Sequence, residues 1–291
     1  MLFIEQLQQS QPLFLLTTAL LSLAVGSFLN VVIYRLPVMM EREWKQQCQE
    51  LMGIEAPQTE GQTFNLMFPR SRCQNCGHLI TSLENIPILS YLFLRGRCSE
   101  CGQKISPRYP IIELATGLLS IVIAWHFGFS WQTATALPLT WALIALSMID
   151  YDHKILPDNI VLPFLWLGLL ANLNGVFTDL SSALMGATAG YLSLWSIFWI
   201  FKLVTKKEGM GYGDFKLLAL LGAWLGWQYL LQIVLLSSLV GAIVGICLVI
   251  ILGRDRTIPI PFGPYLATAG WISLLWGDEI NQAYLRFAGL G

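Results

Sequence analysis

Eight apolar runs, at 13–34, 111–129, 132–149, 159–177, 180–203, 215–228, 229–252 and 261–276, recur along this chain. A helix that crosses a bilayer needs roughly 17–25 mostly apolar residues, because no backbone polar group can be left open in hydrocarbon. The sixth run is the shortest. Only 12% of the 291 residues are charged, against about 25% in soluble domains. These features predict an all-α polytopic membrane protein with about eight transmembrane helices. Residues 1–12 carry no Lys or Arg, and no small-residue cleavage pattern follows the first run. The first segment therefore reads as a span and not as a cleaved signal peptide.

The distribution of basic residues orients the chain. Nine Lys and Arg lie in 35–110, one in 150–157, four in 202–216 and two in 253–260. The alternate loops hold none. By the positive-inside rule the basic loops are cytoplasmic and both termini lie on the opposite side of the membrane. If the sixth run did not cross, Arg254 and Arg256 would fall outside. The net charge of −1 gives no reason to expect a nucleic-acid partner; membrane lipid is the implied surroundings. Three regions follow: a first span over 1–34, a cytoplasmic insertion over 35–110, and a membrane domain over 111–291.

Within the insertion, Met40, Trp44, Cys48 and Leu51 recur at helical spacing. They predict an amphipathic helix that lies on the membrane or, by preference, packs on the neighbouring module. Residues 55–63 read as a linker. The main signal is two matched pairs, Cys73-x2-Cys76 and Cys98-x2-Cys101, in "CQNCG" and "CSECG". Each tight loop turns two thiolates toward one point, and two such loops complete a closed four-thiolate structural zinc site. A redox pair is the rival reading, and two matched pairs on a reducing side favour metal. Cys48 and Cys247 stand alone, and His78 reads as an ordinary surface residue.

Three acids lie in "IDYDHKILPD". Asp158 follows Pro157 in the first turn of a predicted helix, where the dipole favours an anion. Asp152 reads as solvated. Asp150 falls at the C-terminal end of its span, where the dipole opposes a negative charge, and that mismatch points to function. Asp214 follows Gly209, Gly211 and Gly213. It reads as a helix N-cap or as a functional carboxylate; a cap needs no such glycines, which allow unusual backbone conformations and close approach. No P-loop lysine follows, so phosphate cradling is disfavoured. If Asp150 and Asp214 share a site, one holds a proton while the other serves as base, so that water attacks a polarised peptide carbonyl.

These residues carry a resemblance. "GYGD" at 211–214, "DYDHKILPD" at 150–158, "GSFLNVVIYRLP" at 26–37, the CxxC pairs and "ISPRYPIIE" at 105–113 together resemble the bacterial type IV prepilin peptidases, which are GxGD aspartic proteases. The likeness covers nearly the whole chain in order. It implies cleavage of the basic leader of prepilins and pseudopilins at the cytoplasmic membrane face. It also implies N-methylation of the new N-terminal residue with S-adenosylmethionine. Possible partners are pilus or secretion machinery. The catalytic pair carries onto Asp150 and Asp214, and the zinc ligands onto Cys73, Cys76, Cys98 and Cys101. No glycine fingerprint marks the S-adenosylmethionine site; Glu113 is a loose candidate, or simply a favourable acid near a helix start. From another class, a proton- or cation-coupled transporter with a zinc-stabilised module would also use intramembrane acids, though it should place them near the midplane.

Overall fold

The computed structural model describes residues 2–53, 64–252, 260–287 and 289. The chain divides into two compact units, Met1–Phe129 and Ser130–Gly291. Among the described residues there are helices and turns, with two isolated antiparallel bridges but no strand.

The first unit holds α1 (Leu2–Gln9), α2 (Gln11–Leu51), the short α3 (Leu89–Phe93) and α4 (Arg108–Phe127). Helix α2 packs along α4, and two glycines let the backbones approach. A Cβ on Gly26 would stand 2.8 Å from the Glu113 Cα, and one on Gly117 would stand 2.9 Å from a Leu23 methyl. The expected amphipathic helix is not a separate element: α2 runs 41 residues, past Pro37, and includes it. Nor does its apolar face pack, since Trp44, Cys48 and Leu51 are exposed, Leu51 at 88%. The predicted linker lies outside the described residues.

The second unit holds α5 (Trp131–His153), α6 (Asp158–Asn172), α7 (Leu180–Thr205), α8 (Tyr212–Leu225), α9 (Leu230–Leu252) and α10 (Gly263–Phe287). Helix α10 breaks at Trp276. Its centre is α8, which is buried on every side from Leu217 on and touches α6, α7 and α10. Its Phe215, Leu217, Leu218, Leu220, Leu221, Ala223 and Trp224 are almost wholly covered. Buried Asn172 fixes the far end of α8: its amide donates to the Ala223 and Trp224 carbonyls, both at 2.9 Å, and its oxygen accepts from Phe177 and Thr178 N–H.

Among the described residues five segments are long and apolar enough to cross a membrane: the helices α2, α4, α5 and α7, and Trp227–Ile251, which takes in nearly all of α9. The expected count was about eight. With a rise of 1.5 Å per residue, the 14 residues of α8 and the 15 of α6 reach only about three quarters of a roughly 30 Å hydrocarbon layer. Helix α8 is wrapped by neighbours, so its apolar length answers to protein contacts more than to bilayer thickness. In contrast α9 exposes Leu231, Leu235, Leu239, Val240, Ile243, Ile246 and Ile250, apolar surface suited to lipid. Arg254 and Arg256 lie outside the described residues.

Candidate active site and metal centre

Asp150 and Asp214 come from opposite helix ends. Asp150 sits in the last turn of α5, and Asp214 is the third residue of α8. Each is 6% exposed, and Leu156 links their surroundings: it lies 2.8 Å from where a Cβ on Gly213, next to Asp214, would stand and 3.2 Å from where one on Gly263, the hydrogen-bond partner of Asp150, would stand. Two buried carboxylates 64 positions apart in sequence thus have neighbours on one leucine inside the same unit.

Asp214 is not the N-cap. That position belongs to Gly211, which has no side chain to cap with. A Cβ on Gly211 would lie 3.7 Å from the Asp214 carboxylate. Of the glycines before Asp214, Gly209 and Gly213 serve close approach, and none of the three has a positive φ. A Cβ on Gly209 would press on the Phe201 ring at 2.9 Å, and one on Gly213 on Leu156 at 2.8 Å.

Around the pair, Asp150 accepts a hydrogen bond from the Gly263 N–H at 3.0 Å. Asp158 opens α6, as expected from Pro157, and pairs with Lys216 of α8 at 2.7 Å. Asp152 is exposed. Nothing in the sequence singled out Gly263 or Leu156. The one hint was "PFGP" at 261–264, a helix start whose second residue lacks an N–H.

In the first unit the four cysteines converge. Their Sγ atoms all lie within 4.8 Å of one another, with Cys73 and Cys101 at 3.8 Å and Cys76 and Cys98 at 3.9 Å. Tetrahedral zinc with Zn–S bonds of about 2.3 Å requires S···S separations of about 3.8 Å, so this donor set fits the ion. The loops repeat one geometry. Cys73 N–H donates to His78 and Gly77 N–H to Cys73; Cys98 N–H donates to Gln103 and Gly102 N–H to Cys98. Gly77 and Gly102 have φ of +76° and +67°, the left-handed region where glycine is unstrained. The Gln103 N–H, and then the Asn75 amide, bring the Cys101 thiol down to about 6. Cys76 is pushed up to about 12: the His78 N–H pulls it down, but burial and the three neighbouring thiols outweigh that.

His78 is more than a surface residue. Its Nε2 lies 3.2 Å from Glu84, which also accepts from Thr81 N–H and from the hydroxyl of Ser99 in the other loop. Glu84 thereby braces one cysteine loop against the other. Glu113 is buried and accepts from Ile88 N–H at 2.8 Å. It lies beyond the first turn of α4, where the dipole has little effect. Arg35, also buried, donates to the carbonyls of Asn65 and Pro69. Composition gave no sign that this cation was structural.

Two family models match the chain: the bacterial peptidase A24 N-terminal domain over residues 20–127, and the type IV leader peptidase family over 137–246. The chain belongs to the type IV leader peptidase family. It is 61% identical over 281 residues to the prepilin leader peptidase/N-methyltransferase of Pseudomonas aeruginosa, covering 96% of this chain and 97% of the relative. Proteins of the same name from Dichelobacter nodosus and Xanthomonas campestris are 51% and 47% identical, over 98% and 93% of this chain and 99% and 94% of theirs. No solved structure matches. All four cysteines lie in the first matched segment and both aspartates in the leader peptidase segment.

Proposed function

We propose that the chain is a prepilin leader peptidase and N-methyltransferase whose peptidase centre is Asp150 with Asp214. The observation that supports this is the burial of two carboxylates, one at the end of α5 and one at the start of α8, whose neighbours Gly263 and Gly213 both face Leu156, in a chain of this family. The ionised member takes a proton from water as the oxygen attacks the scissile carbonyl, and the protonated member donates to the carbonyl oxygen. Two like charges held close favour such a shared proton. The substrates are type IV prepilins and pseudopilins, cut at the cytoplasmic face of the inner membrane, with both termini periplasmic. Transport is disfavoured: the acids sit at helix ends, and the relatives carry the peptidase and methyltransferase name.

After cleavage the new N-terminal residue is methylated, with S-adenosylmethionine as the donor. Glu113 does not fit as a ligand for it, because its carboxylate is buried and engaged by Ile88 N–H. Zinc would be held by Cys73, Cys76, Cys98 and Cys101, tying two loops together with no open coordination position.

Co-expression with a prepilin tests the reading. Asp150→Asn and Asp214→Asn should each leave the leader uncut, by mass and N-terminal sequence, with the variant inserted in the membrane. Normal processing by either removes the pair. A precleaved substrate that gains no label from labelled S-adenosylmethionine removes the methylation half.

A further inference from the structure

Asp150 is badly placed for its own helix. It sits among the last carbonyls of α5, where the helix dipole opposes an anion, and it is 6% exposed. The compensation comes from α10. Gly263, the first residue of α10, directs its N–H at Asp150 Oδ2 from 3.0 Å in a buried contact. The positive end of one helix therefore meets the carboxylate stranded at the negative end of another.

The local sequence leaves that donor over. Pro264 has no N–H, while Tyr265 and Leu266 both donate to the Phe262 carbonyl at 3.1 Å. In the opening turn of α10 the Gly263 N–H is the donor pointed at the site. Glycine is also required sterically. A Cβ on Gly263 would stand 2.7 Å from Asp150 Oδ2 and 3.2 Å from a Leu156 methyl. Leu156 is held from the other side as well, 2.8 Å from where Gly213 would carry a Cβ. One leucine thus spaces a glycine beside Asp150 from the glycine next to Asp214. Any side chain at 263 must displace the carboxylate, the spacer or α10.

We propose that Gly263 is a positioning residue of the peptidase: its N–H orients Asp150, and its missing side chain gives the carboxylate its place against the start of α10. This rests on the reading of Asp150 and Asp214 as the catalytic pair.

The test is Gly263→Ala in the full-length, membrane-inserted protein, measured beside Asp150→Asn. A displacement on the order of 1 Å lowers turnover about 100-fold; that loss is expected in the kcat of leader cleavage, with KM nearly unchanged. Methylation of a precleaved substrate should persist. The stability loss caused by Gly263→Ala should shrink when Asp150→Ala is added, because the carboxylate is then no longer in the way. If Gly263→Ala alone does not accumulate, the double variant with Asp150→Ala should. Wild-type cleavage by Gly263→Ala overturns the proposal. So does an equal stability loss in both backgrounds, or a double variant that also fails to accumulate, since either marks an ordinary packing glycine. Cleavage by Asp150→Asn would instead remove the catalytic reading beneath it, so the two failures are distinct.

Discussion

Gly186 of α7 and Gly222 of α8 meet backbone to backbone: a Cβ on either would overlap the carbonyl oxygen of the other. One turn on, a Cβ on Gly190 would stand 2.7 Å from the Leu218 carbonyl. Neither neighbour is a side chain able to swing away. Gly222→Ala therefore forces the helices apart, and overpacking of this kind destabilises by about 1–3 kcal/mol. Because α8 carries Asp214, leader cleavage should fall along with the thermal midpoint in detergent. An unchanged midpoint would show that the helices separate freely.

Asp158 and Lys216 make the opposite case. The pair is well formed at 2.7 Å, but its side chains are 49% and 31% exposed, and exposed ion pairs contribute about 0–1 kcal/mol. Asp158→Asn should keep leader cleavage within about threefold of wild type, the rate equivalent of less than 1 kcal/mol. Loss as complete as that expected for Asp150→Asn would place Asp158 in the chemistry. The measurement is initial cleavage rate on one prepilin.

The contrast between these two acids was legible in the sequence because helix-end position alone decides which carboxylate its own dipole stabilises. The cysteine cluster was legible too, since the spacing of a CxxC loop dictates where its thiols point. Other features depend on contacts between residues far apart in the chain. Gly263 is 113 positions from Asp150, and no local pattern tells that a helix start will face a distant carboxylate. The same holds for α8: its apolar run reads as a short span, and only its neighbours show that the helix is enclosed from Leu217 on. The tail of α2 misled for a related reason. A helical apolar period shows that a face exists, and here Trp44 and Leu51 are exposed.

The four-cysteine site should behave as a fold element. Metal binding to such a site contributes directly to folding, and the thiolates converge only in the folded loops. Cys73→Ser, or treatment with a strong chelator, should reduce bound zinc and abolish hydrogen-exchange protection across residues 71–104. Asp150 lies in the other unit, so α5 and α8 should keep their protection. Equal protection of 71–104 with and without metal would mean that the loops hold themselves.

Glu84 offers a pH-dependent check on that module. The hydroxyl of Ser99, then the N–H and hydroxyl of Thr81, hold its carboxyl at about 2 in place of the ordinary 4.5. A carboxyl depressed on folding stabilises fully above its unfolded value, and the contribution is lost as pH falls through the folded value. Glu84→Gln, which removes the charge, should speed amide exchange at Thr81 about fivefold or more at pH 7, consistent with loss of a charge-assisted bond. The gap between variant and wild type should be as wide at pH 5.5 and should close as pH falls from about 4.5 to about 2. No gap at pH 7 would show that Glu84 does not brace the loops. A gap that persists at pH 2 would assign the effect to shape, with charge playing no part.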